Sequence, residues 1–189
     1  MLIDHNPQVP NRQRALRGEG GDPGAVIREM GLRIESAGAD FLVIPCNTAH
    51  LFIESLVESV SIPLLSIIDV TVNTCSEFST VAILAADGCL ASGLYQEAFL
   101  ARDIGAVLPN EDEQMEIMDL IRRVKAGDTS DSVQQAMQRL ANQVASRGAE
   151  AVVAACTEIP LVLHAEGLDV PLVNSTDCLA KAAIAEAIR

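Results

Sequence analysis

The segment GADFLVIPCNT, residues 38–48, has a near copy in GAEAVVAACTE, residues 148–158. Each copy begins with glycine, alanine and an acidic residue, continues through a mostly apolar run, and reaches a cysteine eight positions after its glycine. A Gly-Asp pair that opens a helical pattern precedes each copy, and an apolar-Pro-Leu run follows each copy. We interpret the pattern as an internal duplication with an offset of about 110 residues, which predicts two similar lobes.

Short apolar runs alternate with helical patterns along the chain. The helical patterns lie at residues 23–37 and 132–146, with Asp22 as the predicted N-cap of the first and Asp128 or Ser130 as that of the second. This alternation is typical of βα units and a parallel sheet. The sequence therefore predicts an α/β fold, with strands at 41–44, 63–68, 80–84, 151–154 and 170–173.

The composition excludes several classes of protein. Of the 189 residues, 49% are hydrophobic, which is too many for a disordered chain and enough for one domain or two small ones to bury a core. The formal net charge is −13, and only Lys125 and Lys181 accompany eleven arginines, so we expect no nucleic-acid partner. No apolar run approaches the roughly 18 residues of a membrane span, and the start MLIDHNPQVP does not resemble a leader peptide. We therefore expect a cytoplasmic protein with no membrane partner.

The five cysteines are an odd number and lack the paired short spacing of metal sites, so we expect free thiols and no metal ion. Cys46 and Cys156 occupy equivalent positions in the two copies, at the ends of predicted buried strands. Open α/β folds bind ligands at this carboxyl edge of a parallel sheet, and if the lobes face each other the two thiols meet across a cleft. Cys75, Cys89 and Cys178 have no such correspondence and are predicted to fill the core.

Two thiols on opposite faces of one small molecule can invert a carbon centre. One removes a proton as a thiolate, and the other returns a proton to the opposite side. Oriented backbone N–H groups at a helix N-terminus favour the thiolate, and the carbanion needs donors and cations around the substrate carboxylate. Asn47, Thr48 and Thr157 directly follow the two cysteines and can supply such donors.

Three segments resemble the aspartate/glutamate racemase superfamily, and most closely its aspartate racemase branch: DHNPQVPNR (4–12), IPCNTAH (44–50) and AACTEIPL (154–161). The similarity runs from the first residues to the C-terminus. The resemblance implies a homodimeric amino acid racemase that needs neither PLP nor another cofactor. It implies that aspartate is the substrate, with glutamate as the second, and that two thiols transfer the proton.

The resemblance also implies roles for individual residues. Cys46 and Cys156 match the two catalytic cysteines, Arg12 matches an arginine near the substrate carboxylate, and Lys125 matches a substrate-facing lysine. The carboxylate-binding donors are matched by Asn47, Thr48 and Thr157. From the residues alone, Arg12 and Lys125 are also compatible with ordinary surface charges, although a dicarboxylate approaching a chain of charge −13 needs local cations.

The chain departs from the family pattern in two places. The sequence AADGC, residues 85–89, stands where the family has a threonine-rich turn, which removes hydroxyls that could bind substrate. In the family a strand and a glycine-rich turn precede NPQVP, whereas Met1 here is expected to lie inside the second strand. We therefore expect a first lobe that lacks its first strand and comprises residues 1–78 and 172–189, with residues 79–171 as the second lobe.

Three functions remain open. The first is racemisation of aspartate or glutamate, and the second is another reaction of the superfamily, maleate cis-trans isomerisation or hydantoin racemisation. The third is an inactive paralogue that keeps only the fold. Retention of Arg12 and of both thiols favours racemisation over arylmalonate decarboxylation, which needs one cysteine. His50 is expected to hold the Cys46 loop or to cap its helix.

Overall fold

The structure is a computed structural model that describes residues 1–188, and within them two parallel sheets flanked by helices form the fold. The strands are β1 (Leu42–Val43), β2 (Leu64–Leu65), β3 (Thr80–Ala85), β4 (Gly105–Val107), β5 (Ala151–Ala155) and β6 (Leu172–Asn174). The helices are α1 (Arg12–Leu16), α2 (Pro23–Ser36), α3 (Glu54–Ser59), α4 (Ile67–Thr74), α5 (Asp87–Ala91), α6 (Leu94–Leu100), α7 (Glu111–Lys125), α8 (Asp131–Ala145) and α9 (Ser175–Ala187). Short 3-10 turns lie at Thr48–Phe52 and Ile159–Leu161. The predicted α/β class is confirmed.

The two copies of the duplicated segment fold in the same way. Each has a helix, a strand ending near the cysteine, a 3-10 turn, a second strand and a final helix: α2, β1, β2 and α4 in the first copy, and α8, β5, β6 and α9 in the second. The backbone amide of Leu42 donates to the carbonyl of Pro63, and that of Val152 donates to the carbonyl of Pro171, each at 2.8 Å. Because Leu42 and Val152 both lie four residues before their cysteine, the two strand pairs have the same register.

The larger sheet has the strand order β4-β3-β5-β6 and a core on each face. Side chains alternate along a strand, so Ala82 and Leu84 of β3 face α7 and α8, whereas Val81 and Ile83 face α4, α6 and α9. The central strands β3 and β5 are thus covered on both faces, which explains their continuous apolar sequences. The smaller sheet contains β1 and β2, and α2 and α3 pack against it.

Helix termini follow the local sequence. The Asp22 carboxylate accepts a hydrogen bond from the amide of Gly24 at 2.8 Å, which confirms it as the N-cap of α2. At α8 the N-cap is Ser130, and Asp128 instead accepts from the amide and hydroxyl of Ser130 and pairs with Arg123. Both helices begin and end within one residue of the predicted bounds.

The sequence analysis did not predict the strand β4, nor any helix besides α2 and α8. The strand β4 is a three-residue edge strand with exposed or half-buried positions, so it has no apolar run to mark it. The helix α7 begins with a capping box, in which Asn110 and Glu113 bond reciprocally to each other's backbone amides. The Asn-x-x-Glu spacing is a sequence signal for such a start.

The expected lobe boundaries differ from the observed pairing. The strand β6, at residues 172–174 of the expected first lobe, pairs with β5 of the larger sheet. Helix α4 also packs on the larger sheet. There it contacts α9, which is the equivalent helix of the second copy. The start of the chain also differs from expectation, since residues 1–10 contain a turn at residues 7–8 and no strand.

Within residues 1–188, no helix is both long enough and apolar enough to cross a membrane.

Candidate active site

A cavity of about 170 Å³ lies between the two sheets at the carboxyl ends of β1 and β5. It brings together all seven residues singled out from the sequence: Arg12, Cys46, Asn47, Thr48, Lys125, Cys156 and Thr157. The cavity is smaller than the roughly 300–1,000 Å³ of sites for drug-sized ligands, so it fits a small molecule. Cys46 is half-buried and Cys156 is 9% exposed, and both thiols are free.

The first thiol lies on a loop that His50 holds in place. The Nδ1 atom of His50 lies 3.0 Å from the carbonyl oxygen of Cys46, and its Nε2 atom accepts a hydrogen bond from the amide of Ile67 at 3.3 Å. Since a carbonyl only accepts and Nε2 accepts here, the ring carries its proton on Nδ1. Burial lowers the pKa of His50, so the ring is neutral at pH 7. His50 therefore fixes the Cys46 loop against the start of α4, which was one of its two expected roles.

The second thiol lies in a cluster with two charged residues. The Cys156 thiol donates to an Oε atom of Glu158 at 2.9 Å, and the Thr157 hydroxyl donates to the same atom at 3.2 Å. The ammonium of Lys125, the last residue of α7, lies 3.6 Å from the other oxygen of Glu158. Burial, and then the negative charge of Glu158, raise the pKa of the Cys156 thiol. Cys156 is consequently held in its protonated form at neutral pH.

The cationic side of the cavity is built by α1. Asn11 caps this short helix by accepting from the amide of Arg14, and the guanidinium of Arg12 bonds to the carbonyl of Pro10 at 3.1 Å. The next side chain, Gln13, accepts from the amide of Gly88 at 2.8 Å. A Cβ on Gly88 would lie 2.4 Å from a methyl of Leu16 and 2.8 Å from Oε1 of Gln13, so a larger residue at this position would displace these two side chains of α1.

Glu158 is the site residue that the sequence analysis missed. It lies at the repeat position equivalent to Thr48, and it follows the quoted Cys156-Thr157 pair directly, so the signal was present in the alignment of the two copies. Gln13 and Ala86 also line the cavity and were not singled out. Ala86 belongs to the AADGC segment, so this wall of the cavity carries a methyl group where a hydroxyl was expected from the resemblance.

Replacing Glu158 with glutamine is expected to speed alkylation of Cys156. Loss of the carboxylate removes a negative charge beside the thiol, so the pKa of Cys156 falls and more thiolate is present. A fall of one pKa unit corresponds to a rate increase on the order of tenfold. Iodoacetamide labelling at pH 8, with the modified peptide quantified by mass spectrometry, measures the change.

The control is Glu166→Gln, which removes an exposed carboxylate of the same loop region. Its Cys156 labelling rate should equal that of the unaltered protein. An unchanged or slower rate in Glu158→Gln would contradict the electrostatic role of Glu158.

Comparison with known proteins gives one consistent result. The sequence model of the family described as Asp/Glu/Hydantoin racemase matches residues 1–183. The broad specificity amino-acid racemase RacX of Bacillus subtilis (strain 168) is 28% identical over 154 residues, which cover 81% of this chain and 67% of that protein. The aspartate racemase structure of Picrophilus torridus superposes with a TM-score of 0.87 at 26% identity, covering 98% of this chain and 78% of that one.

A more distant structure shares the fold. The glutamate racemase of Francisella tularensis subsp. tularensis SCHU S4, solved with D-glutamate, has a TM-score of 0.69 at 14% identity and covers 98% of this chain and 68% of its own. The family match, which extends over nearly the whole sequence, shows that this chain belongs to the Asp/Glu/hydantoin racemase family of isomerases.

Proposed function

We propose that the protein is a cofactor-independent amino acid racemase that interconverts L- and D-aspartate, with glutamate as a second substrate. The observation that carries the proposal is the placement of two free thiols, at equivalent strand ends of the two copies, on one small cavity that also holds Arg12 and Lys125. Inversion at the α carbon requires a base on one face and an acid on the other.

The two thiols differ in their surroundings, which supports different roles for them in the first turnover. Cys156 is a thiol that donates to Glu158, so it is the acid. Cys46 is then the base on the opposite face of the substrate, since inversion needs one acid and one base. The Cys46 thiolate takes the α proton, and the Cys156 thiol delivers its own proton to the opposite face. Each turnover leaves the two protonation states exchanged, and the reverse reaction restores them.

Cations around the carboxylates would stabilise the carbanion formed between these two transfers. The Arg12 guanidinium and the Lys125 ammonium approach the cavity from α1 and α7, in a chain whose net charge is −13. Thr48 supplies a further donor beside Cys46, whereas the hydroxyl of Thr157 donates to Glu158. Such fixed charges and dipoles act where negative charge develops, and they need no reorganisation during the reaction.

The proposal is tested by incubating dialysed protein with each enantiomer of aspartate and glutamate, in buffer that contains a metal chelator and no added PLP. Chiral chromatography should show both enantiomers converging on a racemic mixture, with α-deuterium in the product when the solvent is D₂O. Conversion of maleate to fumarate or racemisation of a hydantoin, without amino acid turnover, would favour one of these other reactions of the superfamily over amino acid racemisation. No turnover of any of these compounds would favour an inactive paralogue.

Replacing Arg12 with alanine is expected to raise KM for aspartate by roughly 10- to 100-fold. A hydrogen bond to a charged group contributes about 1.5–3 kcal/mol, and each 1.4 kcal/mol is about tenfold in affinity. The KM of Arg12→Lys should lie between those of the unaltered protein and Arg12→Ala, because lysine keeps the charge but lacks the planar guanidinium. Arg14→Ala removes an exposed arginine of the same helix and is the control. Equal KM in Arg12→Ala and Arg14→Ala would exclude Arg12 from carboxylate binding.

A second candidate is racemisation of amino acids with larger apolar side chains. A groove of about 440 Å³ lies beside β1 and shares Arg12, Pro45 and Cys46 with the smaller cavity. Its other walls are mainly apolar, with Ile27 and Met30 contributed by α2. Leucine and methionine turning over faster than aspartate in the same assay would favour this candidate.

We also propose that the protein acts as a homodimer, as the resemblance implies, and that it works in the cytoplasm. A reducing compartment keeps cysteines as thiols, which the proposed chemistry requires. Sedimentation equilibrium of the purified protein measures the mass of the assembly, and a monomer at assay concentration would exclude the dimer.

A further inference from the structure

A chain of three buried hydrogen bonds joins the Cys46 loop to the strand that leads to Cys156. The Tyr95 hydroxyl donates to Oδ1 of Asn47 at 2.7 Å, and Nδ2 of Asn47 donates to Oγ of Ser175 at 3.2 Å. The Ser175 hydroxyl donates to the carbonyl of Ala154 at 2.8 Å. Tyr95 and Ser175 are fully buried, and Asn47 is 3% exposed.

The direction of every bond in this chain is determined by its last member. The Ala154 carbonyl can only accept, so the single hydroxyl proton of Ser175 is committed to it. The Ser175 oxygen must then accept from the Asn47 amide nitrogen, which turns the amide oxygen of Asn47 toward Tyr95. Tyr95 must therefore donate. The three hydrogen bonds are consistent with one arrangement of donors and acceptors, so they specify the orientation of the Asn47 amide.

These hydrogen bonds connect the two copies of the duplicated segment next to the residues that carry the thiols. Asn47 directly follows Cys46, and Ala154 precedes Cys156 by two residues in β5. Ser175 is the first residue of α9, and Tyr95 lies in α6, where its ring stacks on that of Phe99 with centroids 5.9 Å apart. Buried polar groups are costly when left unpaired, so a displacement of either loop would break a bond that water cannot replace.

We propose that Tyr95 and Ser175 are positioning residues, which hold the Cys46 loop at a fixed separation from Cys156 through the side chain of Asn47. The inference rests on the proposed function for its catalytic consequence, but the separation of the thiols can be measured without any turnover. Misplacement of a reacting group by about 1 Å can cost on the order of 100-fold in rate, so a small shift of the loop is sufficient.

The test uses Tyr95→Phe, which keeps the ring and removes only the hydroxyl, and Ser175→Ala. Both should lower kcat for aspartate by roughly 10- to 100-fold and leave KM within about twofold. The cations Arg12 and Lys125 are unaltered, and the Asn47 side chain, which the resemblance assigned to carboxylate binding, bonds to Tyr95 and Ser175 and has a positioning role in this proposal. Dibromobimane, which alkylates two thiols with its two arms, reports the separation directly. The yield of the bridged peptide pair containing Cys46 and Cys156, measured by mass spectrometry, should fall in both variants.

Leu140→Ala is the control, because Leu140 is buried in α8 within the core on the opposite face of the larger sheet from Tyr95. It should lower the melting temperature without changing kcat or the bridging yield. The proposal is overturned if Tyr95→Phe and Ser175→Ala lower only the melting temperature and keep kcat and bridging at the unaltered level. If the unaltered protein turns over no substrate while bridging still depends on Tyr95, the proposed function fails and the positioning role stands.

Discussion

Replacing either Cys46 or Cys156 with alanine is expected to abolish racemisation of aspartate. A general acid or base contributes roughly 10²- to 10⁴-fold to a rate, and inversion needs both groups in one turnover. The thiols line one cavity from the ends of β1 and β5, and no other cysteine lines it within the described residues. Initial rates from both enantiomers, followed by chiral chromatography, measure the loss.

Exchange of the α proton with solvent distinguishes the roles of the two thiols. A variant that keeps one thiol can still remove and return a proton on one face, so each variant should exchange the α proton of only one enantiomer in D₂O. Cys46→Ala and Cys156→Ala should then exchange opposite enantiomers. Cys178→Ala, a half-buried cysteine away from the cavity, should retain full activity. A near-normal rate in either single-thiol variant would exclude the two-base mechanism.

Replacing Leu84 with alanine is expected to lower the free energy of unfolding by about 2–5 kcal/mol, out of roughly 5–15 kcal/mol for a typical domain. Leu84 is fully buried in β3 and packs with α7 and α8 on one face of the larger sheet. Its partner in register is Ala154, whose small side chain cannot fill the space that the substitution leaves. Urea unfolding followed by circular dichroism gives the midpoint and the slope.

Leu100→Ala makes the same chemical change at a site that is 73% exposed, at the end of α6. Its free energy of unfolding should stay within about 0.5 kcal/mol of the unaltered protein. Equal losses in the two variants would mean that the face of β3 toward α7 and α8 is not part of the stabilising core.

The fold class could be predicted because its signals are local. Strand burial on both faces produces continuous apolar runs, and helix starts produce caps such as Asp22, so both are visible within a few residues of sequence. The duplication added the long-range information, since two copies with one pattern must fold alike. That is why Cys46 and Cys156 could be singled out together and why the predicted site residues line one cavity.

Some of the missed elements have no local signal, and others need a partner strand to define them. The edge strand β4 has three residues and no buried face, and the apolar run of β6 does not indicate which strand it pairs with. The helix α7, in contrast, does carry a local signal in the capping box of Asn110 and Glu113. The pairing of β6 is decided by the connection at residues 156–171, which contains the 3-10 turn Ile159–Leu161 and returns the chain to the side of β5.

The sequence by itself determined the α/β class, the duplicated units and the two cysteines at equivalent strand ends. Only the tertiary structure decided the surroundings of those cysteines. Glu158 reaches Lys125 because α7 packs beside the turn that follows β5, and Asn47 meets Tyr95 and Ser175 at separations of 48 and 128 residues. Such contacts depend on how helices from distant parts of the chain pack on the shared core. The packing brings together hydrogen-bond partners that cannot be identified from the local sequence around either residue.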